Sequence, residues 1–446
     1  MFTLHGYCAI GYVGLIFNVN DFMKNNIDFI IPSLCPEITV LDNDLKVYAF
    51  RNEGMDVVKM ELYFYNAGTA NQAKVFSSVV ANNQITEGSS RHSAKEIADS
   101  IDFYGAYIEK SLDKETASVS FYFLKKYKEE LIPWFEEIVK DPAFPQTELE
   151  VYLRRLKQQR LVNEKKTDYL ARLSFFQTLF GETHPFGIVG SMEDYDLLSR
   201  KDLFDFYNSF YSYDRCSIII AGNVDDRLIS LINNSFGKRD WKKDSVFDIK
   251  EITYKENNNT RKSIHLDKAV QSSVRIGTTT ISANHKDYLG LSVVNTLLGG
   301  YFGSRLMSNI REDKGYTYGI GSVLYSYKDI GLFYISAEIK QENCQDAINE
   351  IYSEIEILKT KKVSEEELHK VKNFMKGSML RSLDGSLELS ENFRAILKYG
   401  LDYDYFHKYL RVVSEIDSDE ILRLAQTYFN VNQMVEIRAG DTTIIK

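Results

Sequence analysis

Leu298-Gly299-Gly300-Tyr301-Phe302-Gly303-Ser304-Arg305 continues into Ile310-Arg311-Glu312-Asp313-Lys314-Gly315-Tyr316-Thr317-Tyr318-Gly319. Two side chains in this stretch are suited to holding an oxygen that gains charge. Arg311 is a permanent cation with several N–H donors, and Tyr318 is a phenolic donor. One continuous helix would align them at their spacing of seven, but Gly315 is a natural left-handed stop. A corner is therefore expected, with Arg311 at a helix end and Tyr318 at a strand start. So held, the pair can grip a peptide carbonyl oxygen. The plainer alternative is a helix-end Arg that satisfies carbonyls and a Tyr packed in a strand. Gly299, Gly300 and Gly303 read as a tight turn between elements. A phosphate loop would follow a strand and end in Gly-Lys-Ser/Thr. Here a helix over Tyr288 to Leu298 precedes the glycines and Ser304-Arg305 follows.

The chain that must position these residues has 446 residues, 44% of them apolar, enough for a large core and two or more domains. A net charge of −9 without a dominant basic stripe argues against nucleic acid as a partner. The dense basic run Arg154-Arg155-Lys157-Arg160 reads as the solvated side of a helix. Cys8, Cys35, Cys216 and Cys344 lie far apart, which opposes a disulfide scaffold or zinc ribbon and fits a reducing compartment. The cytoplasm is the expected location. Ala9 to Phe17 is apolar, but no Lys or Arg precedes it and no small-residue cleavage site follows. If residues 1–22 act as a signal, the chain is exported. As an upstream extension, they would precede a natural start at Met23-Lys24-Asn25-Asn26. No run reaches the ~18 apolar residues that a membrane span needs.

In chain order, Ile38 to Phe50 and Val57 to Tyr65 alternate as paired strands joined by Arg51-Asn52-Glu53-Gly54. Val75 to Thr86 predicts a helix, and Ser93 caps another over Ala94 to Phe103. A strand pair (Ala106 to Lys110, Thr116 to Phe123) and a helix (Glu129 to Lys140) follow. Next come a long helix, Gln146 to Asn163, and Phe175 to Phe180 leading into the loop Gly181 to Gly187. A helix over Ser199 to Tyr211 then leads to a strand over Cys216 to Ala221. Polar residues 238–262 are the linker candidate.

Beyond them the pattern repeats. Tyr104-Gly105-Ala106-Tyr107, a strand pair, a helix and Thr147-Glu148-Leu149 are echoed by Tyr318-Gly319-Ile320-Gly321, a strand pair through Ile339, the helix Cys344 to Lys359 and Ser364-Glu365-Glu366-Glu367-Leu368. Tyr318 follows Tyr104 by 214 residues, and Leu368 follows Leu149 by 219. A shared element order at nearly one offset signals duplication. The expected fold is α+β: two homologous domains, each an antiparallel-rich sheet packed with helices. The boundaries expected are 1–37 for a lead-in, 38–237 for the first domain, 238–262 for the linker and 263–446 for the second domain.

The Leu298 to Leu306 and Arg311 to Tyr318 stretches resemble the C-terminal-domain signature of the pitrilysin/insulinase superfamily. That superfamily includes the mitochondrial processing peptidase subunits and the core proteins of the respiratory bc1 complex. The resemblance extends from about Ile38 to the end and takes in Glu87-Gly88-Ser89, His184-Pro185-Phe186-Gly187 and Ala221-Gly222-Asn223. It implies two similar α+β domains forming half of a clamshell that closes on a peptide.

Active members carry an inverted His-x-x-Glu-His zinc motif in the first domain. Registered on Gly88, it falls on Val79-Val80-Ala81-Asn82-Asn83, and the distal Glu ligand falls at Gln158 or Gln159. Metal-assisted hydrolysis needs ligands, an open position and a base for the water. Val79, Asn82, Asn83 and Gln159 supply none of these, so no cofactor is expected in this chain. The resemblance implies that Arg311 and Tyr318 hold the substrate carbonyl opposite a zinc in a homologous partner bearing His-x-x-Glu-His. It also suggests that Gly299, Gly300 and Gly303 form a loop that meets the peptide substrate. The expectation is a heterodimeric zinc metalloendopeptidase in which this chain is inactive alone. The alternative is a structural, assembly or peptide-binding protein on the same fold.

Overall fold

Cys216–Gly222 is buried along its whole length, and its Ile218-Ile219-Ile220-Ala221 run suits a strand covered on both faces. In this computed structural model, which describes residues 35–241 and 260–443, it lies inside a six-stranded sheet. The strands are β1 (Glu37–Val40), β2 (Lys46–Arg51), β3 (Val57–Phe64), β4 (Tyr107–Leu112), β5 (Ala117–Leu124) and β6 (Cys216–Gly222), in spatial order β1-β2-β6-β3-β5-β4. The expected lead-in, up to residue 34, and most of the expected linker lie outside the described residues.

This order corrects one expectation. Ile38 to Phe50 is not a single strand. It turns at Leu41–Leu45, where the Leu41 N–H donates to the Leu45 carbonyl and Asp44 has φ 72°, and β1 pairs back on β2. Nor does β2 pair with β3. β6 lies between them, parallel to β2 and antiparallel to β3. Local alternation suggests a hairpin, but the more apolar β6, arriving from far along the chain, takes the central position.

The second sheet contains β7 (Arg261–His265), β8 (Gln271–Thr280), β9 (Thr317–Ser326), β10 (Gly331–Lys340) and β11 (Val435–Gly440), in order β7-β11-β8-β10-β9. It repeats the device of the first: β11 inserts parallel to β7 and antiparallel to β8. The expected pair ending near Ile339 is the β9–β10 hairpin, and β9 is left at the sheet edge.

The repeat extends to the helices, and there the two halves exchange partners. Helix Thr167–Phe180 and helix Ser386–Tyr399 are 219 residues apart at both ends. Each packs on the sheet of the other half. Ala171, Phe175 and Leu179 join Leu332, Val435, Ile437 and Ala439 of the second sheet in one buried cluster. Phe393 packs its ring 4.9 Å from Tyr48 and 5.4 Å from Phe50 on β2. The same helix sends Arg394 to Glu61 of β3 (3.1 Å), and its Glu391 pairs with Lys59. Lys398 pairs with Asp113 at 2.5 Å. Glu61 and Lys59 are buried, so these charges are compensated by one another across the junction.

Phe175 to Phe180, expected only as a lead into a loop, is the end of that 14-residue helix. The break after helix Gln146–Asn163 is just Glu164 to Lys166, too short to stand out in sequence. Phe186 of the following loop is fully buried, 4.3 Å from the Tyr327 ring, so that loop belongs to the core. The basic run of helix Gln146–Asn163 is solvated only in part: Arg154 and Arg155 are exposed, whereas Lys157 and Arg160 are half-buried and paired with Asp196 and Glu164.

Candidate functional site

The corner expected at Gly315 is present. Helix Tyr288–Asn295 runs into a wider π-helical turn, Thr296–Gly300. A second π-helical segment, Met307–Asp313, carries Arg311 in its last turn. Buried Leu306 and Ile310 anchor it, and the Lys314 N–H donates to the Asn309 carbonyl at 3.1 Å. Gly315 then takes φ 63°, which a side chain would disfavour although nothing lies within 4 Å of the site of a Cβ. Asn309 reaches Glu350 and Glu354 on helix Cys344–Thr360, and Lys314 pairs with Glu350 at 2.6 Å. The helix side of the corner is thereby tied at two points to one rigid element.

Tyr318 is aimed by a bulge. Ala337 of β10 pairs with Ile320, but Ile339 pairs with Thr317, so Tyr318 and Gly319 together oppose Glu338. An inserted residue of this kind redirects a side chain at a sheet edge. The Thr317 hydroxyl pins it, donating to the Glu338 carbonyl at 2.5 Å and accepting from the Gly319 N–H at 3.1 Å. Tyr318 is left 79% exposed.

Arg311 and Tyr318 line one open cavity of about 450 Å³, shared with Phe302, Glu312, Gly315, Thr317 and Lys340. The Arg311 guanidinium carbon is 4.7 Å from the Phe302 ring centroid. Neighbouring Arg305 is held bidentately by Glu367 at 2.7 and 2.9 Å. Arg311 has no carboxylate within ion-pair distance among the described residues. A cation laid on an aromatic face keeps its N–H edge available for an oxygen.

The three glycines divide. Gly299 is buried, and a Cβ there would lie 2.6 Å from the Ser322 N of β9, so this position serves the close approach of turn and sheet. Gly300 and Gly303 are exposed and flank Tyr301-Phe302. The sequence stretches quoted above contain Phe302 and Thr317 without giving either a part, and Lys340 lies outside them. The aromatic among three glycines was a usable signal for Phe302; the bulge that engages Thr317 exists only once β9 and β10 pair.

The helix at the zinc-motif register, Ser77–Gln84, has different contents. Val79 is apolar. Asn82 is buried: its amide donates to the Ser111 carbonyl at 3.1 Å and its oxygen accepts from the Tyr211 hydroxyl at 2.8 Å. Asn83 donates to the Val79 carbonyl. A cation enters the same corner, since the Lys110 ammonium donates to the Asn83 carbonyl and the Thr86 hydroxyl, each at 2.9 Å. Burial pulls the Lys110 ammonium below its ordinary range, the sign of a cation held in poor solvent. Gln159 is exposed on helix Gln146–Asn163. These donors do not suit zinc, which wants thiolate, imidazole or carboxylate and is repelled by an adjacent ammonium. Among the described residues no three His, Cys, Asp or Glu side chains gather where a metal ion could be held.

Residues 197–375 match the family model described as Peptidase M16 inactive domain. The chain is 25% identical over 342 residues to an uncharacterized zinc protease, YmxG, of Bacillus subtilis, covering 76% of this chain and 81% of that one. It is 25% identical over 387 residues to mitochondrial-processing peptidase subunit beta of Rattus norvegicus, covering 81% and 76%. Over residues 197–375 this chain is thus similar to the peptidase M16 inactive domain. The crystal structure of a peptidase M16 inactive domain from Pseudomonas fluorescens superposes with a TM-score of 0.83 at 21% identity, covering 92% of this chain and 99% of that one. The chain thus has the expected α+β fold, and its helix Ser77–Gln84 holds asparagines, met by Lys110 from β4, where zinc ligands were sought.

Proposed function

We propose that this chain is the non-catalytic subunit of a two-chain zinc peptidase: it holds the scissile carbonyl of a peptide through Arg311 and Tyr318 while a homologous partner supplies the metal and the base. One observation carries the reading. Arg311 and Tyr318 reach the same open cavity, the first without a carboxylate partner among the described residues and the second 79% exposed. Fold stability alone does not call for a guanidinium without a carboxylate partner and an exposed phenol on the wall of one cavity. A guanidinium and a phenol aimed at a carbonyl oxygen stabilise the negative charge that develops as the carbon becomes tetrahedral. Phe302 holds the guanidinium in orientation, and the Thr317-pinned bulge fixes the phenol. The Asn82, Asn83 and Lys110 arrangement supports assigning the metal to another chain. Cytoplasmic residence is part of the same proposal.

Reconstitution tests it. Mixed with a homologue bearing His-x-x-Glu-His from the same source, the wild-type chain gives zinc-dependent cleavage of unfolded peptides, and neither chain does so alone. Cleavage by this chain without a partner would overturn the assignment. A complex that assembles and cleaves equally well with Arg311→Ala would favour a purely structural part for this chain.

A further inference from the structure

A second, larger cavity of about 840 Å³ opens one residue along β9 from Tyr318. Its walls come from the connection before helix Thr167–Phe180, the turn between β7 and β8, and the exposed face of β8 and β10, with Gly319 of the bulge on its rim. Four cations line it: Lys165, Lys166, Lys268 and Arg275. Among the described residues none has a carboxylate within ion-pair distance, whereas Arg305, Lys314 and Lys398 of the second half all do. Arg275 is the most telling. It is largely covered, its guanidinium carbon lies 5.6 Å from the Tyr334 ring centroid, and its Nε is buried without a hydrogen-bond partner. Two acids, Asp168 and Glu338, face the same space without reaching these cations. Glu338 instead accepts from the Thr167 hydroxyl at 3.3 Å, and burial raises its carboxyl pKa, which weakens its opposition to an incoming anion.

We infer that this cavity receives a carboxylate of the peptide whose carbonyl rests on Arg311 and Tyr318, so that the chain selects acidic peptides. The inference rests on the reading that a peptide lies against Tyr318. β9 is the open edge of its sheet, and an extended peptide added along it runs past Gly319 directly to the cations. A largely covered guanidinium whose buried Nε lacks an acceptor is costly until an anion completes its hydrogen bonds. The carboxylate has two sources, an acidic side chain or the peptide C-terminus, and the experiment separates them.

Isothermal titration calorimetry on the full chain uses three short peptides of otherwise equal sequence: one with two glutamates and a C-terminal amide, its glutamine counterpart with the same amide, and that counterpart with a free C-terminus. The glutamate peptide is expected to bind about tenfold or more tighter than the glutamine amide. An advantage limited to the free C-terminus instead identifies the terminal carboxylate as the group bound. Arg275→Gln, and separately the exposed Lys268→Gln, should reduce the preference to about twofold or less with unchanged circular dichroism. Equal binding of all three peptides, or a preference retained in both variants, overturns the inference and leaves the carbonyl site standing. Failure of every peptide to bind overturns the carbonyl reading and the inference with it.

Discussion

The Arg311 guanidinium carbon lies 4.7 Å from the centre of the Phe302 ring, so a cation at the end of one segment is held by an aromatic from the glycine-rich turn before it. That contact joins the two stretches on which the proposed carbonyl site rests. It also predicts how substitutions separate stability from turnover. With no ion pair to lose among the described residues, Arg311→Ala should change folding stability by about 0.5 kcal/mol or less. In the reconstituted complex it should reduce kcat by roughly 10²–10³, equivalent to about 2.7–4 kcal/mol of transition-state stabilisation. Arg311→Lys should recover only part, because an ammonium lacks the planar fork. Chemical denaturation and steady-state kinetics on the same preparations check both halves.

Thr317 fixes the bulge that aims Tyr318. Thr317→Val keeps the shape and removes the hydroxyl that pins the bulge between Glu338 and Gly319. About 1 kcal/mol of stability should be lost. kcat should fall with little change in KM, whereas a merely structural role would leave kcat intact in the folded fraction. Thr317→Ser, which restores the hydroxyl, should rescue kcat.

The exchanged helices predict that the halves depend on one another. Phe393 is fully buried against Tyr48 and Phe50, although it comes from the other half of the chain. Phe393→Ala should cost about 3–5 kcal/mol. Residues 35–241 expressed alone should remain unfolded by circular dichroism, and co-expression with 260–443 should recover a folded complex.

Restoring the metal motif should fail. The triple change Val79→His, Asn82→Glu, Asn83→His supplies the missing ligand types but keeps the Lys110 ammonium beside them and neutral Gln159 at the distal position. It also breaks the Asn82 bonds to Tyr211 and Ser111, at a cost of about 1–3 kcal/mol. Equilibrium dialysis should find no stoichiometric zinc, and the melting temperature should drop.

Acid stability should depend on Asp225. Burial alone would lift its carboxyl, but bonds from the Lys128 ammonium, the Leu228 N–H and the Lys125 ammonium outweigh that and hold it at about 2. The unfolded carboxyl titrates near about 4. A carboxyl depressed on folding contributes stability that is complete above about pH 4 and is lost as pH falls from there towards about 2. Urea midpoints measured between about pH 5 and pH 2 should fall with acid in the wild type, and Asp225→Asn should flatten that slope.

Much of the architecture was legible in the sequence because it is written in local signals. Ser93 and Ser199 cap helices through reciprocal bonds with Glu96 and Asp202, as Ser-x-x-acid spacing implies. Gly315 takes the left-handed conformation that its position between an Arg and a Tyr suggested. The duplication was visible because element order survives where residue identity has faded. The absence of a zinc ligand set at Val79 to Asn83 could also be read from residue types alone.

What the sequence could not determine concerns partners far apart along the chain. Nothing local says that β6 will separate β2 from β3, because that outcome depends on which apolar run gains most from burial on both faces. Nothing in Phe393 or Phe175 indicates that each will pack on the other half's sheet. Spacing brought Arg311 and Tyr318 to notice, but the bulge between β9 and β10 decides where the phenol points, and Phe302 decides how the guanidinium lies. Lys110 reaches the Asn83 carbonyl from β4, 27 residues further along the chain. Caps and glycines act over a few residues, so the sequence determined them by itself. Strand order and the convergence of side chains on a cavity are set by competition among distant surfaces for burial, and only the tertiary structure decides that competition.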